Sequence, residues 1–481
     1  MKASAIGLVF VFACSGGGGS SADDGAVEDA TLTDAGLIDA TLTDATLTDS
    51  GLPDAPMQNV DAGPLVNLEE GLITQIIGDP IRDVDILFVV DNSQSMRDEQ
   101  IALANGFSRI ADALNNIKGG FPNVHLGVVS SDMGAGPYNI SGCQGTGDNG
   151  ILQNAAVGSP GCQTPSDRYI SDVADGAGGR LQNYQGSLAD SFSCIAQIGL
   201  NGCGFEQPLE SMRRALDGTN LGNSGFLRND AMLAVLVVTD EDDCSAQDVT
   251  VYNADPSLDN VQSSLGFLSS HRCFEFGVVC NPDSPRVAGP KADCVSRNDS
   301  QYMYGMDDYE AFLKGLKALP GRVIFSAIAG VGQGNVVVGM PNGEPNIDPA
   351  CSSKFGDADE AVRISELSER MGLPPIQSIC DDFGPSLDAF ASQLSAKMSG
   401  RCLVSAPVSG QCSIVDVEDF EGANESIVQE LPPCASTPTG ACFIETPNSS
   451  NCQTGSGIEI TIDRRGTQVP SGTVAVAACP Q

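Results

Sequence analysis

The sequence predicts a mixed α/β protein with a doubly wound, mostly parallel sheet, Cys-rich insertions and a small disulfide-rich β domain at its C-terminal end. Three observations predict this fold class. Nearly continuous apolar runs, typical of strands buried on both faces of a sheet, occur at 84–90, 124–129 and 231–238. Stretches with helical spacing alternate with these runs, which favours parallel strands with helices on both faces. Of the 17 Cys residues, all but Cys14 lie at or beyond Cys143.

The alternating pattern extends over residues 81–400, which we assign to one α/β domain. Its first helix is predicted by apolar residues that recur four and three positions apart from Leu103 to Ile117. Cys- and Gly-rich stretches break the alternation at about 133–186 and 243–305, and we expect both to be insertions. The other predicted elements are helices at 187–198, 208–216, 307–320, 360–371 and 386–398 and strands at 322–329 and 376–379.

Residues 1–14 have the pattern of an export signal. Lys2 supplies the positive end, and the apolar run that follows is shorter than the ~20 residues that a membrane span needs. The run ends at Val11-Phe12-Ala13-Cys14, which resembles the lipobox of bacterial lipoproteins and implies lipidation of Cys14. Ordinary signal cleavage is the alternative, because Phe12 is unusual at its position. We therefore expect an exported protein at the cell envelope, as an outer-membrane lipoprotein or on the cell surface.

Residues 15–80 are predicted to be a flexible acidic linker. A Gly- and Ser-rich stretch is followed by a five-residue repeat that begins at Asp29, and no Lys or Arg occurs between Lys2 and Arg82. A period of five matches neither a helix nor a strand, and like charges keep such a segment extended. The whole chain has a formal charge of −38, which excludes nucleic acid as a partner and limits membrane contact to the lipid anchor.

The cysteines predict two disulfide-bonded blocks. Without Cys14, ten lie in residues 143–380 and six in residues 402–479, so each block can close its own disulfides. The absence of a CxxC pair and the presence of only two His argue against zinc. Short separations favour the pairs Cys194–Cys203 and Cys273–Cys280. Residues 401–481 are predicted to form the small β domain, with a strand pair at 458–462 and 473–477.

The strongest local motif is Asp91-Asn92-Ser93-Gln94-Ser95, directly after the first predicted strand. Ligands of parallel α/β sheets bind beyond the carboxyl ends of the strands. One carboxylate and two hydroxyls at alternate positions can direct three oxygens to one point, and Mg²⁺ and Mn²⁺ prefer oxygen ligands. The alternative is a helix N-cap, in which the same side chains would accept hydrogen bonds from backbone N–H groups.

This motif, written Asp91-x-Ser93-x-Ser95, resembles the metal-ion-dependent adhesion site of von Willebrand factor A-type (vWA) domains. A second apolar strand ends at Thr239-Asp240, as the distal Asp of that family does. The resemblance covers roughly residues 81–400, including the closing helix–strand–helix. It implies a vWA, Rossmann-like fold and an Mg²⁺ or Mn²⁺ ion held by Asp91, Ser93, Ser95 and Asp240.

One position departs from the family pattern, which has a metal-binding Thr in a loop between the two strands. The matching loop, 202–208, has no Thr, and Glu206 is its nearest oxygen donor and a candidate fifth ligand. The alternative for Glu206 is an acid placed near a helix dipole. Asp91, Glu206 and Asp240 together over-neutralise a divalent ion, which weakens capture of an acidic ligand's carboxylate.

Other acidic residues lie near the proposed ion. Four consecutive acids at 240–243 repel one another, and they are relieved either by a second cation, such as Ca²⁺, or by solvent. Ser131-Asp132 follows the second strand and could rim the same site.

These features predict a metal-dependent extracellular binding or adhesion protein, displayed through a flexible tether, and no enzyme. Its partner would be an extracellular protein or polysaccharide. His125 lies inside an apolar strand, and neither a GxSxG elbow with an available His nor a phosphate-binding GxxxxGK[ST] loop occurs. One alternative is a structural or envelope-assembly protein that is stabilised by metal and disulfides. A metal-assisted hydrolase, with Glu206 or Glu241 as the base, is the other.

Overall fold

The computed structural model of the protein describes residues 72–77 and 81–480, with gaps at 118–119, 156, 159–160, 318–320, 332–334, 355, 374, 404–411, 421–424, 450–451, 453–455 and 468–472. The export signal, Cys14 and the Asp-rich repeat lie outside these residues. No helix found within them combines the length and apolar character that crossing a membrane requires.

The described residues contain α-helices and short 3₁₀ turns in the following order. The helices are α1 (Arg97–Gly106), α2 (Ser108–Asn115), α3 (Leu188–Ala196), α4 (Pro208–Leu216), α5 (His271–Gly277), α6 (Met306–Gly315), α7 (Val362–Arg370) and α8 (Phe383–Ser399). The 3₁₀ turns are Leu221–Asn223, Val249–Tyr252 and Pro341–Gly343.

The strands are more numerous because the insertions and the C-terminal part are rich in β structure. They are β1 (Leu72–Ile77), β2 (Asp83–Val90), β3 (Asn123–Ser130), β4 (Ile170–Ala174), β5 (Arg180–Gln182), β6 (Met232–Val238), β7 (Val278–Asn281), β8 (Gly289–Ser296), β9 (Val323–Ala329), β10 (Val336–Gly339), β11 (Asn346–Asp348), β12 (Cys351–Ser352), β13 (Asp357–Ala358), β14 (Gln377–Ser378), β15 (Ser413–Glu418), β16 (Ser426–Leu431), β17 (Cys442–Thr446), β18 (Glu459–Asp463) and β19 (Thr473–Pro480).

The central sheet has seven strands in the order β14-β9-β6-β2-β3-β4-β5. The five from β14 to β3 are parallel, whereas β4 runs antiparallel to β3 and β5 antiparallel to β4. Val90 of β2 is in register with Ser130 of β3 and Val238 of β6, so these three strands end at one edge. The prediction of a mixed α/β fold with a mostly parallel sheet is confirmed, and this architecture is consistent with a vWA-like fold.

Helices cover both faces of this sheet, as a doubly wound arrangement requires. Alternate side chains of β2 point to opposite faces because a strand has a period of two. Phe88 contacts Phe107, Phe192 and Phe390 in the layer formed by α1, α2, α3 and α8. Leu87 packs into the opposite layer with residues of α4, α6 and α7. This two-sided burial explains why the apolar run of β2 shows no polar alternation.

The C-terminal β structure includes a strand from the other end of the chain. Strand β1 pairs antiparallel with β19 at the edge of the four-stranded sheet β1-β19-β15-β16, so the predicted linker, 15–80, is too long at its C-terminal end. Four of the six residues of β1, LITQII, are Ile or Thr, which have good β propensity, and that favours pairing. The predicted pairing of 458–462 with 473–477 is also wrong, because β18 pairs with β17 and β19 with β1 and β15.

Eight disulfides join the 16 cysteines beyond Cys14, and each predicted block closes on itself. The pairs are Cys143–Cys203, Cys162–Cys194, Cys244–Cys273, Cys280–Cys294, Cys351–Cys380, Cys402–Cys452, Cys412–Cys479 and Cys434–Cys442. The predicted pairs Cys194–Cys203 and Cys273–Cys280 are wrong, because the insertions fold back and bring more distant cysteines together. This disulfide content indicates an oxidising, extracytoplasmic compartment.

A close backbone contact near the carboxyl edge of the sheet gives a test of the fold. A Cβ atom at Gly330 would lie 1.7 Å from the carbonyl oxygen of Asp359, and backbone cannot move away as a flexible side chain can. We expect Gly330→Ala to lower the free energy of unfolding by about 1–3 kcal/mol, measured by urea denaturation. Gly315→Ala in α6 is the matched control, because a Cβ there meets nothing within 4 Å. That change should raise stability by up to about 1 kcal/mol, and equal effects would contradict the packing argument.

Candidate metal centre

The loop that follows β2 lies at the carboxyl edge of the sheet and carries the predicted motif. Asp91 is only 1% exposed, and Ser93 is also buried. Helix α1 begins at Arg97, and its N-cap residue, Met96, makes no side-chain capping hydrogen bond. The predicted alternative, in which the motif caps this helix, is therefore wrong.

Three neighbouring strand ends position the carboxylate of Asp91. Its Oδ1 accepts hydrogen bonds from the backbone N–H of Ser93 at 2.7 Å and from Ser131 Oγ at 3.2 Å. Its Oδ2 accepts a hydrogen bond from Thr239 Oγ1 at 2.9 Å. Ser131 follows β3 and Thr239 follows β6, so the parallel register delivers both donors to one carboxylate. Ser131 thus lies at the site, as the sequence predicted, whereas the sequence analysis assigned no role to Thr239.

Gln100 anchors the same loop from α1. Its Nε2 donates hydrogen bonds to the backbone oxygens of Asp91 and Gly199, both at 2.9 Å. The sequence analysis missed Gln100, because a sequence does not distinguish a helical Gln that holds a loop by hydrogen bonds from one that is exposed to solvent.

The two serine hydroxyls of the motif converge. Ser93 Oγ and Ser95 Oγ are 3.0 Å apart, and Ser95 also hydrogen-bonds to the carboxyl group of Asp240. Ser95 is exposed whereas Ser93 is buried, so the pair connects the buried carboxylates with solvent. Hydroxyl oxygens at this spacing can act as adjacent ligands of one hard cation.

Glu206 is brought to the site by its loop. The disulfide Cys143–Cys203 lies before it, and the backbone N–H of Gln207 donates to the oxygen of Ser131 at 2.9 Å. Glu206 is 1% exposed, and its Oε1 has no hydrogen-bond partner among the described atoms. Burial, together with the charges of Glu241 and Asp91, raises the pKa of Glu206 well above its ordinary value. Its carboxyl group also shares a hydrogen bond with Glu241.

Asp240 resembles Glu206 in being buried, in having an unpartnered oxygen and in having a raised pKa. It is 5% exposed, and its Oδ1 also has no partner in the described part of the chain. Burial is the main cause that raises its pKa to about 8, and repulsion from Asp91, Glu241 and Glu99 adds to it. Unpaired buried oxygens and repelling carboxylates are costly, and a cation relieves both costs. The residues at this edge therefore fit a divalent ion, which the donor set of carboxylates and hydroxyls suits.

Spacing limits how such an ion is held. Oxygens bound directly to one Mg²⁺ are at most about 4.2 Å apart, twice the metal–oxygen distance. Over the described residues, the one group of three acidic, His or Cys side chains whose ligand atoms all lie within 4.8 Å is Cys434, Cys442 and Asp463. As the side chains are placed here, the carboxylates of Asp91, Glu206 and Asp240 do not all come within that distance of one another. At least one of them would act through water, which Mg²⁺ commonly retains.

The group at Cys434 and Cys442 does not qualify as a metal centre. The two sulfurs are joined in a disulfide, and metal ligation by Cys requires a free thiolate. This leaves the carboxyl edge of the central sheet as the place where the chemistry of the side chains favours a metal ion.

The acids that follow Asp240 have protein partners of their own. Asp242 accepts hydrogen bonds from the backbone N–H groups of Arg363 and Ile364 at the start of α7. Asp243 pairs with the Arg363 guanidinium at 3.0 Å. Because the carboxylates of these two acids are engaged by protein groups, they are not available as metal ligands. A second cation would therefore have to use other oxygens. Glu99, 2% exposed with an unpartnered Oε2, is one such donor that sequence reasoning missed.

The chain matches no protein-family model and no curated protein. Solved structures with some similarity include a von Willebrand factor type A protein from Catenulispora acidiphila, with 10% identity, a TM-score of 0.28 and coverage of 85% of this chain and 66% of that one. The pilus adhesin SpaC from Lactobacillus rhamnosus GG has 10% identity, a TM-score of 0.28 and coverage of 84% and 39%. The human COPII-coat protein Sec24c has 10% identity, a TM-score of 0.28 and coverage of 88% and 47%.

This chain spans less than two thirds of the length of each of these proteins. TM-scores this low decide neither the fold nor the function of the chain. The description of the fold therefore depends on its own sheet order, and the description of the site depends on its own side chains.

Proposed function

We propose that this is a metal-dependent extracellular binding or adhesion protein, held at a bacterial cell envelope by the acidic tether and lipidated Cys14. The observation that carries the proposal is the edge at which buried Asp91, Glu206 and Asp240 meet the hydroxyls of Ser93 and Ser95. A divalent ion there, Mg²⁺ or Mn²⁺, would face solvent through Ser95. An ion with one open side can engage a group on an extracellular protein or polysaccharide.

The state of the two histidines leaves Glu206 or Glu241 as the base that a metal-assisted hydrolase would need. His125 Nδ1 lies 2.9 Å from the oxygen of Phe226, and His271 Nε2 lies 2.9 Å from the oxygen of Pro285. Burial lowers the pKa of both residues, to about 4 for His271. Both rings are thus committed to backbone contacts, and neither supports a general-base role at the proposed ion.

The test is calorimetric titration of the full chain with Mn²⁺ and with Mg²⁺. We expect saturable binding to the parent protein and no measurable binding to Asp91→Ala, because the variant lacks the carboxylate at the centre of the proposed site. Asp388→Ala is the matched control, since Asp388 is an exposed acid in α8 that pairs with Arg109. Unaltered metal affinity in Asp91→Ala, with circular dichroism like that of the parent, would rule out this site.

A structural role is the second candidate, and the position of Glu206 favours it. A buried carboxylate that completes the shell around the ion would leave no place for a ligand. EDTA would then lower the melting temperature, but immobilised extracellular proteins and polysaccharides would show no metal-dependent binding. Binding that disappears in EDTA and returns with Mn²⁺ would instead support the adhesive role.

A further inference from the structure

A groove separate from the metal edge lies between the second insertion and the C-terminal part of the α/β domain. Its volume is about 260 Å³. Strand β8 contributes Cys294 and Val295, and helix α7 contributes its solvent-facing side. The remaining walls come from segments beside the edge strand β14.

The groove has an apolar floor and an acidic rim. Apolar surface comes from Val295, which is 50% exposed, together with Val331, Val362, Pro375 and Ile376. The charged residues that line it are all acidic: Glu360, Glu366 and Glu369. Among the described residues that line the groove there is no Lys or Arg.

Arg370, which pairs with one of these glutamates, does not cancel the charge around the groove. Arg370 pairs with Glu366 at 2.7 Å, and it also contacts Glu310 and Asp307. Lys314 also pairs with Glu310, and these two cations among three carboxylates still leave the surroundings negative. Glu369 is exposed on the same helix and adds to this charge.

The walls are held in place by the fold. The disulfide Cys280–Cys294 closes the hairpin of β7 and β8, and the backbone N–H of Ser296 donates to Glu366 Oε2 at 2.6 Å. This hydrogen bond connects the insertion directly to α7. A preformed groove loses little conformational entropy when a ligand enters it.

We propose that this groove binds a cationic segment of a partner protein, in which Lys or Arg residues flank an aliphatic side chain. The aliphatic group would cover Val295 and Ile376, and the cations would face the glutamates. Charge complementarity selects this occupant over two others. The chain's own acidic tether has no Lys or Arg between Lys2 and Arg82, and a second copy of the chain carries a charge of −38.

The probe is a fluorescein-labelled peptide with the core Lys-Leu-Val-Lys between Ser and Gly residues, measured by anisotropy against the full chain. We expect saturable binding that weakens as salt is raised. Glu369→Lys should weaken it by about tenfold or more, since like charges then face each other. Val295→Lys should have a similar effect. The matched controls are Val428→Lys and Glu430→Lys, exposed residues of β16, which should leave the affinity unchanged.

Several results would overturn the proposal. Equal binding of a peptide with Glu in place of Lys, or of one with Ser in place of Leu and Val, would remove the chemical basis of recognition. Unchanged affinity in both groove variants, or equal losses in the controls, would place binding elsewhere. Self-association of the chain that Glu369→Lys abolishes would identify a second copy as the occupant instead.

The proposal for the groove and the proposal for the metal site can be tested independently of each other. Peptide binding should persist in EDTA and in Asp91→Ala, because no predicted metal ligand lines the groove. Loss of peptide binding in EDTA would attribute it to the metal edge and would contradict the separate site.

Discussion

Replacing Arg363 by Met should lower the free energy of unfolding by about 3–5 kcal/mol, because it leaves a buried carboxylate without its cationic partner. Arg363 and Asp243 are both 0% exposed, and two guanidinium nitrogens contact Asp243 Oδ2 at 3.0 and 3.2 Å. The same guanidinium donates to the backbone oxygen of Tyr304 at 2.8 Å and to Gly277 and Ser296 at 3.2 Å. It thus joins α7, the second insertion and the loop beside the metal edge.

Urea denaturation at neutral pH measures this effect, and the chain offers a matched control. Arg109→Met removes an exposed pair with Asp388 and should cost no more than about 1 kcal/mol. The double variant Arg363→Met with Asp243→Asn should recover part of the loss, because no buried charge then remains. A loss equal to that of Arg109→Met would mean that Asp243 finds another cation or water.

The affinity for Mn²⁺ should rise by about 10- to 100-fold between pH 6 and pH 8. Burial and neighbouring carboxylates raise the pKa of Asp240 to about 8 and that of Glu241 to about 7. The ion must displace the protons that these groups hold at pH 6, whereas it displaces fewer at pH 8. Calorimetry in buffers of different ionisation enthalpy would measure the released protons directly. A flat affinity over this range would contradict the participation of these carboxylates.

The metal-free protein should respond to pH in the opposite direction. The folded-state pKa of Asp240 lies above its unfolded value of 3.8, so the folded chain holds a proton that the unfolded chain releases. This contribution to stability is present at low pH and is lost as pH rises toward 8. Burial of His271 acts the other way between about pH 4 and pH 6.5, because only the unfolded ring gains a proton in that range. Between pH 6.5 and pH 8, where His271 is neutral in both states, melting temperatures in EDTA should therefore fall less in Asp240→Asn than in the parent.

The fold and the centre of the candidate site were predictable for a simple reason. An apolar run such as 84–90 identifies a strand buried on both faces, and parallel strands end at one edge of a sheet. Asp91 and Asp240 follow two such runs, so their proximity follows from the strand pattern alone. Ser93 and Ser95 share a short loop with Asp91 and are constrained to its vicinity.

Other features of the site and the fold depend on long-range contacts in the chain, which a local sequence pattern does not reveal. Gln100, Glu99 and Thr239 became recognisable only when the loops around Asp91 were placed. The disulfide pairs depend on how the insertions fold back, and short sequence separation does not determine that route. Strand β1 was missed because it directly follows an acidic stretch and its partner lies at the other end of the described chain.

The pairing of β1 with β19 has a consequence for the order of folding. The first of these strands is synthesised early, and the second only after the whole α/β domain. Non-local pairing of this kind is slow, and an unpaired strand edge is a template for aggregation. The four-stranded sheet can therefore close only when β19 is present, so a chain truncated before β19 would leave β1 as an unpaired edge and become a target for proteases.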